Sequence, residues 1–388
     1  MLAPHFSRFF EANPGLLHFS AHSHHPWPDA TEAAHARYWR DSATLADRKW
    51  ERVFGEVVPR AQDHVARILG LSDSHQVAFA ANTHEFVTRL YSCLEADRPL
   101  KVLASAHEFH SFRRQTRRLQ EAGRVQLTEI SGEPWDTFTG RFCEAARAGD
   151  WDMVWLSHVF FDSAFVVQNL EAICAAAPAR ALVAIDGYHA FCALPVDLAR
   201  VHRRAFYLGG GYKYAMAGEG AAYLAIPPGC ELRPVDTGWF ASFDTLSGKP
   251  GEKVPYGDGA MRFWGATFDP TGVYRLNAAM DWLASTGTTI ADVHHHATAM
   301  QKHFLDDFAR LGPGPIAARH LVPTAGVKRG NFLTFDVDGA EELQKRLIAQ
   351  QVLIDRRDRR LRLGFGVYHD EDMVHRLVAA VARALNSN

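Results

Sequence analysis

The chain has 388 residues, 47% of them apolar, with 42 basic and 44 acidic side chains and a formal charge of -2. That near-balance excludes a protein built to grip nucleic acid or an anionic membrane surface, and no run approaches the ~18 apolar residues that span a bilayer. The 5 cysteines are odd in number and scattered, which excludes a disulfide framework; with no leader-like start, a cytoplasmic setting is expected.

Phe6, Phe9 and Phe10 open the chain at helical spacing. Residues 17–29 read LHFSAHSHHPWPD, a loop stiffened by Pro26 and Pro28. His22, His24 and His25 point apart in such an extended segment, so no metal site is expected. Apolar faces then recur from Asp29 to Leu69, with Pro59 restarting the helix and Gly70 set to close it.

From there short apolar runs alternate with helical segments. Strands are predicted at Val77–Ala80, Val102–Ala104, Val125–Ile130, Met153–Leu156, Leu182–Ile185, Ala205–Leu208 and Ala221–Ile226. Helices are predicted from Asn82 to Leu94, His107 to Leu119, Trp135 to Arg147 and Leu170 to Ala176. The alternation implies a mainly parallel sheet with helices on both faces. Ligands of such sheets sit beyond the carboxyl ends of the strands.

Residues 231–271 are rich in aromatics and lack periodicity, which at that length implies function or an interface. Two helices follow, Gly272–Ala284 and Thr289–Leu311. His294, His295 and His296 fan out by ~100° per residue on the second and cannot share one ion. The ending reads strand Asn331–Val337, helix Ala340–Gln350, strands Val352–Ile354 and Leu361–Gly364, helix Asp370–Leu385, a compact α+β lobe.

Two strand ends carry chemistry. The run Leu182–Ile185 ends in Asp186, and the run Ala205–Leu208 opens onto Gly209, Gly210 and Gly211, then Tyr212, Lys213 and Tyr214. An acid and a lysine are thus delivered to the edge of a core. Desolvation in an apolar bend favours the neutral, nucleophilic amine. A lysine that captures an aldehyde, with an acid against a ring nitrogen, is what pyridoxal phosphate requires. A surface-turn lysine near a strand-capping aspartate fits the same spacing.

Asp186-x-x-His189 followed by Tyr212-Lys213-Tyr214 resembles the class V aminotransferase superfamily of fold-type I pyridoxal phosphate enzymes, and within it kynureninase. The resemblance implies an α/β fold: a large domain with a mainly parallel seven-stranded sheet, plus a small α+β C-terminal domain. Residues 1–45 would pack with the small domain, 46–270 would bind the cofactor, and 271–388 would form the small domain.

The same resemblance assigns roles. Lys213 holds the aldehyde, Asp186 pairs with the pyridine nitrogen with His189 beside it, and Tyr212 contacts the phosphate and shuttles a proton. Thr83 and His84, at a helix N-terminus, fall at the phosphate, where free N–H groups attract an anion. Phe109 or His107 stacks on the ring with Glu108 nearby, and Ser157 lies near the ring oxygen. Trp239, in Gly238-Trp239-Phe240, reaches the phosphate. Thr267, in Gly265-Ala266-Thr267, contacts the cofactor of a neighbouring subunit, which implies a homodimer with a shared site. The planar fork of Arg362 suits a substrate α-carboxylate, while Arg356, Arg357, Arg359 and Arg360 are expected to be solvated or salt-bridged. Of the family's early pocket segment only Ser23 is matched, so Ser23 and the histidines that replace the rest, His22, His24 and His25, are candidate substrate contacts.

The implied reaction is kynureninase-like hydrolysis of a Cβ–Cγ bond in a β-keto amino acid, releasing alanine. The alternative is another class V activity on an amino acid, aminotransfer or β-elimination. Desulfuration is disfavoured because no cysteine follows Cys230 to serve a sulfur-accepting loop. A dinucleotide fingerprint fails, since Tyr214 stands where its third glycine belongs.

Overall fold

The structure is a computed structural model that describes residues 2–245, 253–311, 318–324 and 326–386. Of the aromatic-rich stretch 231–271, residues 246–252 lie outside the described part.

The seven predicted strands are present as β1 (Val77–Ala80), β2 (Leu100–Ser105), β3 (Val125–Ile130), β4 (Met153–Ser157), β5 (Leu182–Asp186), β6 (Phe206–Gly210) and β7 (Ala222–Ala225). They form one sheet in the order β1-β7-β6-β5-β4-β2-β3. β7 runs against both its neighbours, and every other adjacent pair is parallel. All residues of β1, β4, β5, β6 and β7 are buried, which is why these strands read as unbroken apolar runs. β3, at the edge, is partly exposed and carries polar residues.

Several strands run past their predicted ends. Asp186 is the last residue of β5, Gly210 of β6, Ser105 of β2 and Ser157 of β4. The candidates Asp186 and Ser157 are therefore held by the ladder itself. The long helical pattern from Asp29 breaks into helices Ala30–Leu45 and Val58–Leu69. Ala46, with φ of 53°, ends the first, and a π-helical turn at Val53–Val57 leads into the second. Gly70 closes it at φ 68°, as a left-handed cap requires.

The C-terminal lobe holds a second sheet of β8 (Phe332–Asp336), β9 (Asp355–Arg357) and β10 (Arg360–Gly364), antiparallel in the order β9-β10-β8. β9 is absent from the predicted elements. Its sequence, Asp-Arg-Arg, has no apolar residue to mark a period, and Asp358 at φ 50° turns the hairpin. Leu17–His18 pairs parallel with Val352–Leu353, and Ser20 bridges to Gly364. This pairing lays the histidine loop along β10. Helix Thr271–Ser285 gives Val273, Leu276 and Met280 to the core under the large sheet, while Leu17 and Phe19 join the core of the C-terminal lobe. No helix among the described residues is long and apolar enough to cross a membrane.

Candidate active site

After β6 the chain folds back on itself. The Met216 N–H donates to the Lys213 carbonyl and the Ala217 N–H to the Gly211 carbonyl, both at 2.9 Å. A Cβ on Gly211 would lie 2.8 Å from the Gly218 carbonyl, and one on Gly210 would run into the Tyr188 ring. The glycine run is thus a steric condition for burying the lysine. Lys213 is 4% exposed. Its Nζ lies 4.8 Å from the ring centre of Tyr188, 5.1 Å from Phe109 and 5.5 Å from Tyr212. It also sits 2.6 Å from His189 Nε2. Burial pulls the amine below the ordinary lysine range, against the opposing charge of Asp186. Burial likewise holds His189 well below its usual value, and the charge of Lys213 adds to the effect.

Asp186 ends β5 beside Ser157 of β4. Its carboxylate accepts the Tyr188 N–H at 2.9 Å. Burial pushes this carboxyl up, while that hydrogen bond and the Lys213 cation act the other way.

Of the two candidate stacking rings, Phe109 is the one against Lys213. Its ring packs edge-on to Phe161 at 5.4 Å. His107 is taken up elsewhere: its Nδ1 lies 2.8 Å from Asp162, its Nε2 accepts the Gly132 N–H, and its ring stacks on Phe160 at 4.9 Å. Glu108 and Ser157 engage each other. Glu108 Oε1 accepts the Ser157 N–H at 3.0 Å and the Ser105 hydroxyl. Oε2 accepts Trp155 Nε1–H at 3.0 Å and the Ser157 hydroxyl at 2.7 Å. Burial pushes Glu108 up to about 8, with the serine hydrogen bonds opposing. This knot ties the ends of β2 and β4 together behind Phe109.

The β9–β10 hairpin supplies the other side. Arg362 is 2% exposed, with Nη2 on the Asp355 carboxylate and Nη1 on the Phe161 carbonyl. Burial lowers it to about 10, with Asp355 holding it up. Arg357 Nη1 takes the second oxygen of Asp355 at 2.8 Å. His22 lies between this group and Lys213. Its ring stacks on Phe332 at 4.5 Å, is 6.5 Å from the His189 ring, and places Nε2 3.8 Å from Asp355 Oδ2. Gly364 makes room for it, since a Cβ there would overlap His22 Nδ1. Burial, then the charges of Arg362, Lys213 and Arg357, hold His22 neutral.

The remaining candidates are spread more widely. Thr83 is buried at the start of helix Thr83–Ser92, where Asn82 caps the Glu85 N–H at 3.2 Å. The exposed His84 ring is 2.7 Å from Gln115 and lines a surface cleft of about 670 Å³ with His110, Arg114 and Arg118. Ser23 is half-buried, with its hydroxyl 3.4 Å from His24; His24 is exposed and stacks over Tyr212 at 5.1 Å. Trp239 is 43% exposed and packs on Phe240 and Phe243, while Thr267 is exposed. Tyr188 was not singled out in the sequence, and Asp355 stood there only as part of Asp355-Arg356 in the kynureninase-like ending, with no role of its own. Tyr188 could have been found from its place between Asp186 and His189; Asp355 is hidden in an arginine run.

Residues 26–348 match the sequence profile of the family described as Aminotransferase class-V. The chain belongs to this class V aminotransferase family. It is 27% identical over 283 residues to isopenicillin N epimerase of Streptomyces clavuligerus, a match covering 70% of this chain and 63% of the epimerase. It is 26% identical over 353 residues to a probable cysteine desulfurase of Vibrio cholerae, covering 84% of this chain and 82% of that protein. Among solved structures, the cystine C-S lyase C-DES in complex with cysteine persulfide superposes with a TM-score of 0.80 at 17% identity, over 96% of this chain and 99% of that one. The fold is that of the fold-type I enzymes. Neither sequence relative is a kynureninase, so that finer likeness rests on the motifs alone.

Pyridoxal phosphate is the cofactor of this family, and the residues in place fit it. A buried carboxyl ends one strand and a buried amine follows the strand beside it, and glycines clear the space around them. His189 Nδ1 is buried without a hydrogen-bond partner, as a group awaiting a polar ligand would be.

Proposed function

We propose that the protein is a pyridoxal phosphate-dependent lyase that removes the α-proton of an amino acid and expels a substituent from its β-carbon. The observation that carries this reading is the Lys213 amine: buried, shifted toward its neutral form and 2.6 Å from a neutral His189. When bound, the cofactor supplies a sink for negative charge at the substrate's α-carbon. Lys213 Nζ takes the α-proton, which requires a free amine near neutral pH, and desolvation provides it. Asp186 would hold the cofactor's ring nitrogen, Phe109 its face, and Thr83 and Tyr212 its phosphate. Arg362 would hold the substrate α-carboxylate through its planar fork.

Elimination is favoured over Cβ–Cγ hydrolysis because the relative matched over 82% of its length is a probable cysteine desulfurase, named for chemistry at a β-carbon–sulfur bond. A sulfur-accepting thiol on the chain itself is not part of this reading. Burial pushes all of Cys93, Cys143, Cys174, Cys192 and Cys230 up, away from the reactive thiolate. The kynureninase-like hydrolysis stays as a second reading, supported by the Tyr212 ring beside Lys213. A homodimer belongs to either reading: Thr267 is exposed, and the family likeness would have it reach the cofactor of a neighbouring subunit.

The test uses protein saturated with pyridoxal phosphate. A visible absorption band should be present and should vanish in Lys213→Ala, with turnover falling by roughly 10²–10⁴-fold. Amino acids bearing a leaving group at the β-carbon should yield pyruvate and ammonia. Release of alanine from kynurenine or 3-hydroxykynurenine, with no pyruvate from any β-substituted amino acid, would replace elimination with hydrolysis.

A further inference from the structure

The hairpin side of the site offers more hydrogen-bond donors than an α-carboxylate can use. Asp355 is divided between two guanidinium groups, one oxygen for Arg362 and one for Arg357. The Nε atoms of both arginines are buried without partners, and so are both ring nitrogens of His22. Strand alternation explains the gathering. Asp355 and Arg357 face Arg362 and Arg360 across the hairpin, and these alternate positions share one side of the sheet. Arg360 is spent on Asp162 at 2.7 Å. Phe332 walls both His22 and Arg362.

An α-carboxylate on Arg362 would balance the charge of this group yet leave His22 and Arg357 Nε unanswered. An apolar side chain entering beside them would strand buried donors, which binding sites do not tolerate cheaply. The charges around His22 and His189 also favour an anion: Arg362, Lys213 and Arg357 all press on both rings, and the Asp355 carboxylate, 3.8 Å from His22 Nε2, is already shared by the two guanidinium groups. We propose that Arg357 and His22 form a subsite for a second anionic group, a carboxylate or its equivalent, on the side chain of the substrate. This rests on the amino-acid reading above and names the class of side chain.

The experiment titrates the cofactor-loaded protein with L-aspartate against L-asparagine and L-glutamate against L-glutamine, followed by calorimetry and by perturbation of the visible band. At least one acid should bind roughly tenfold or more tightly than its amide, the scale of a charge-assisted pair. Arg357→Gln should bring that ratio toward one, and Arg357→Lys should restore part of it; melting curves confirm that both variants are folded. Amides that bind as tightly as acids in the unaltered protein would overturn the subsite, as would an Arg357→Gln variant that keeps the full ratio. A Lys213-dependent band that no amino acid perturbs would instead overturn the amino-acid reading, and the subsite with it.

Discussion

The two halves of the site are built in opposite ways. The Lys213 half hangs on strand ends: Asp186 closes β5, Lys213 follows the glycine run at the end of β6, and Phe109 lies just past β2. Its geometry is fixed by the parallel ladder and by steric exclusion at Gly210 and Gly211. The Arg362 half is stitched from the far ends of the chain. Leu17–His18 pairs with Val352–Leu353, His18 Nδ1 lies 2.5 Å from the Tyr368 hydroxyl, and His369 Nε2 is 2.7 Å from the His18 carbonyl. Backbone sterics leave a local trace in the sequence, whereas a contact between chain ends leaves none. The Lys213 half is therefore readable from local pattern, whereas in the other half Arg362 and His22 were named only through the family resemblance and their partners were not.

The sharpest way to separate the halves is Arg362→Lys. Lysine keeps the charge near Asp355 but loses the planar fork that bonds Asp355 and the Phe161 carbonyl together. The visible band made at Lys213 should persist, while kcat/KM for the best amino acid falls by roughly 10–100-fold, mostly through KM. Loss of the band in this variant would mean that the halves are not separable and that Arg362 also holds the cofactor pocket in shape.

A smaller effect is expected behind Phe109. Each oxygen of Glu108 meets a fixed N–H, from Ser157 on one side and Trp155 on the other. The amide nitrogen of a glutamine must therefore face a donor whichever way it turns. Glu108→Gln should cost about 1–3 kcal/mol of folding stability, measured by denaturant unfolding near pH 5. The pH dependence has a definite sign. With its carboxyl raised from 4.5 to about 8, native Glu108 keeps a proton that the unfolded chain releases in between. Its contribution is complete below pH 4.5 and is lost as pH rises toward 8. The stability gap between the parent and Glu108→Gln should accordingly narrow over that interval. A gap that stays level over that interval would show that the four donors hold an anion there.

The same contrast explains what could be read in advance. All seven strands of the large sheet were legible, because strands buried on both faces are continuous apolar runs closed by glycine or an acid. Asp186, His189 and Lys213 were legible as a spaced pattern, and the structure brings them together. Phe109 and His107 could not be told apart, since which ring turns inward depends on Asp162 capturing His107 from another loop. In the run from Asp355 to Arg360, composition marks every residue as a surface charge, and Arg362 stood out only through the family resemblance. Only the hairpin register reveals that alternate members face inward. In the histidine loop His22 turns into the interior and His24 stays outside, a choice made by Gly364 on a strand more than 300 residues away.

The smallest effect belongs to residues in neither half. Cys93 and Cys230 are the two cysteines that are only partly buried, and burial pushes the Cys93 thiol up to about 12. A reaction that deposits sulfur on the enzyme needs a thiolate near neutral pH, and such a thiol is protonated there. In a lyase the sulfur or other leaving group departs with the product and no protein thiol takes part. The double variant Cys93→Ser, Cys230→Ser should therefore release pyruvate at a rate within about twofold of the parent, as expected for thiols held in their unreactive form. A fall of tenfold or more, with persulfide detectable on the parent chain by mass spectrometry, would move the protein from elimination to sulfur transfer and make the aromatic-rich stretch near Cys230 a third part of the site.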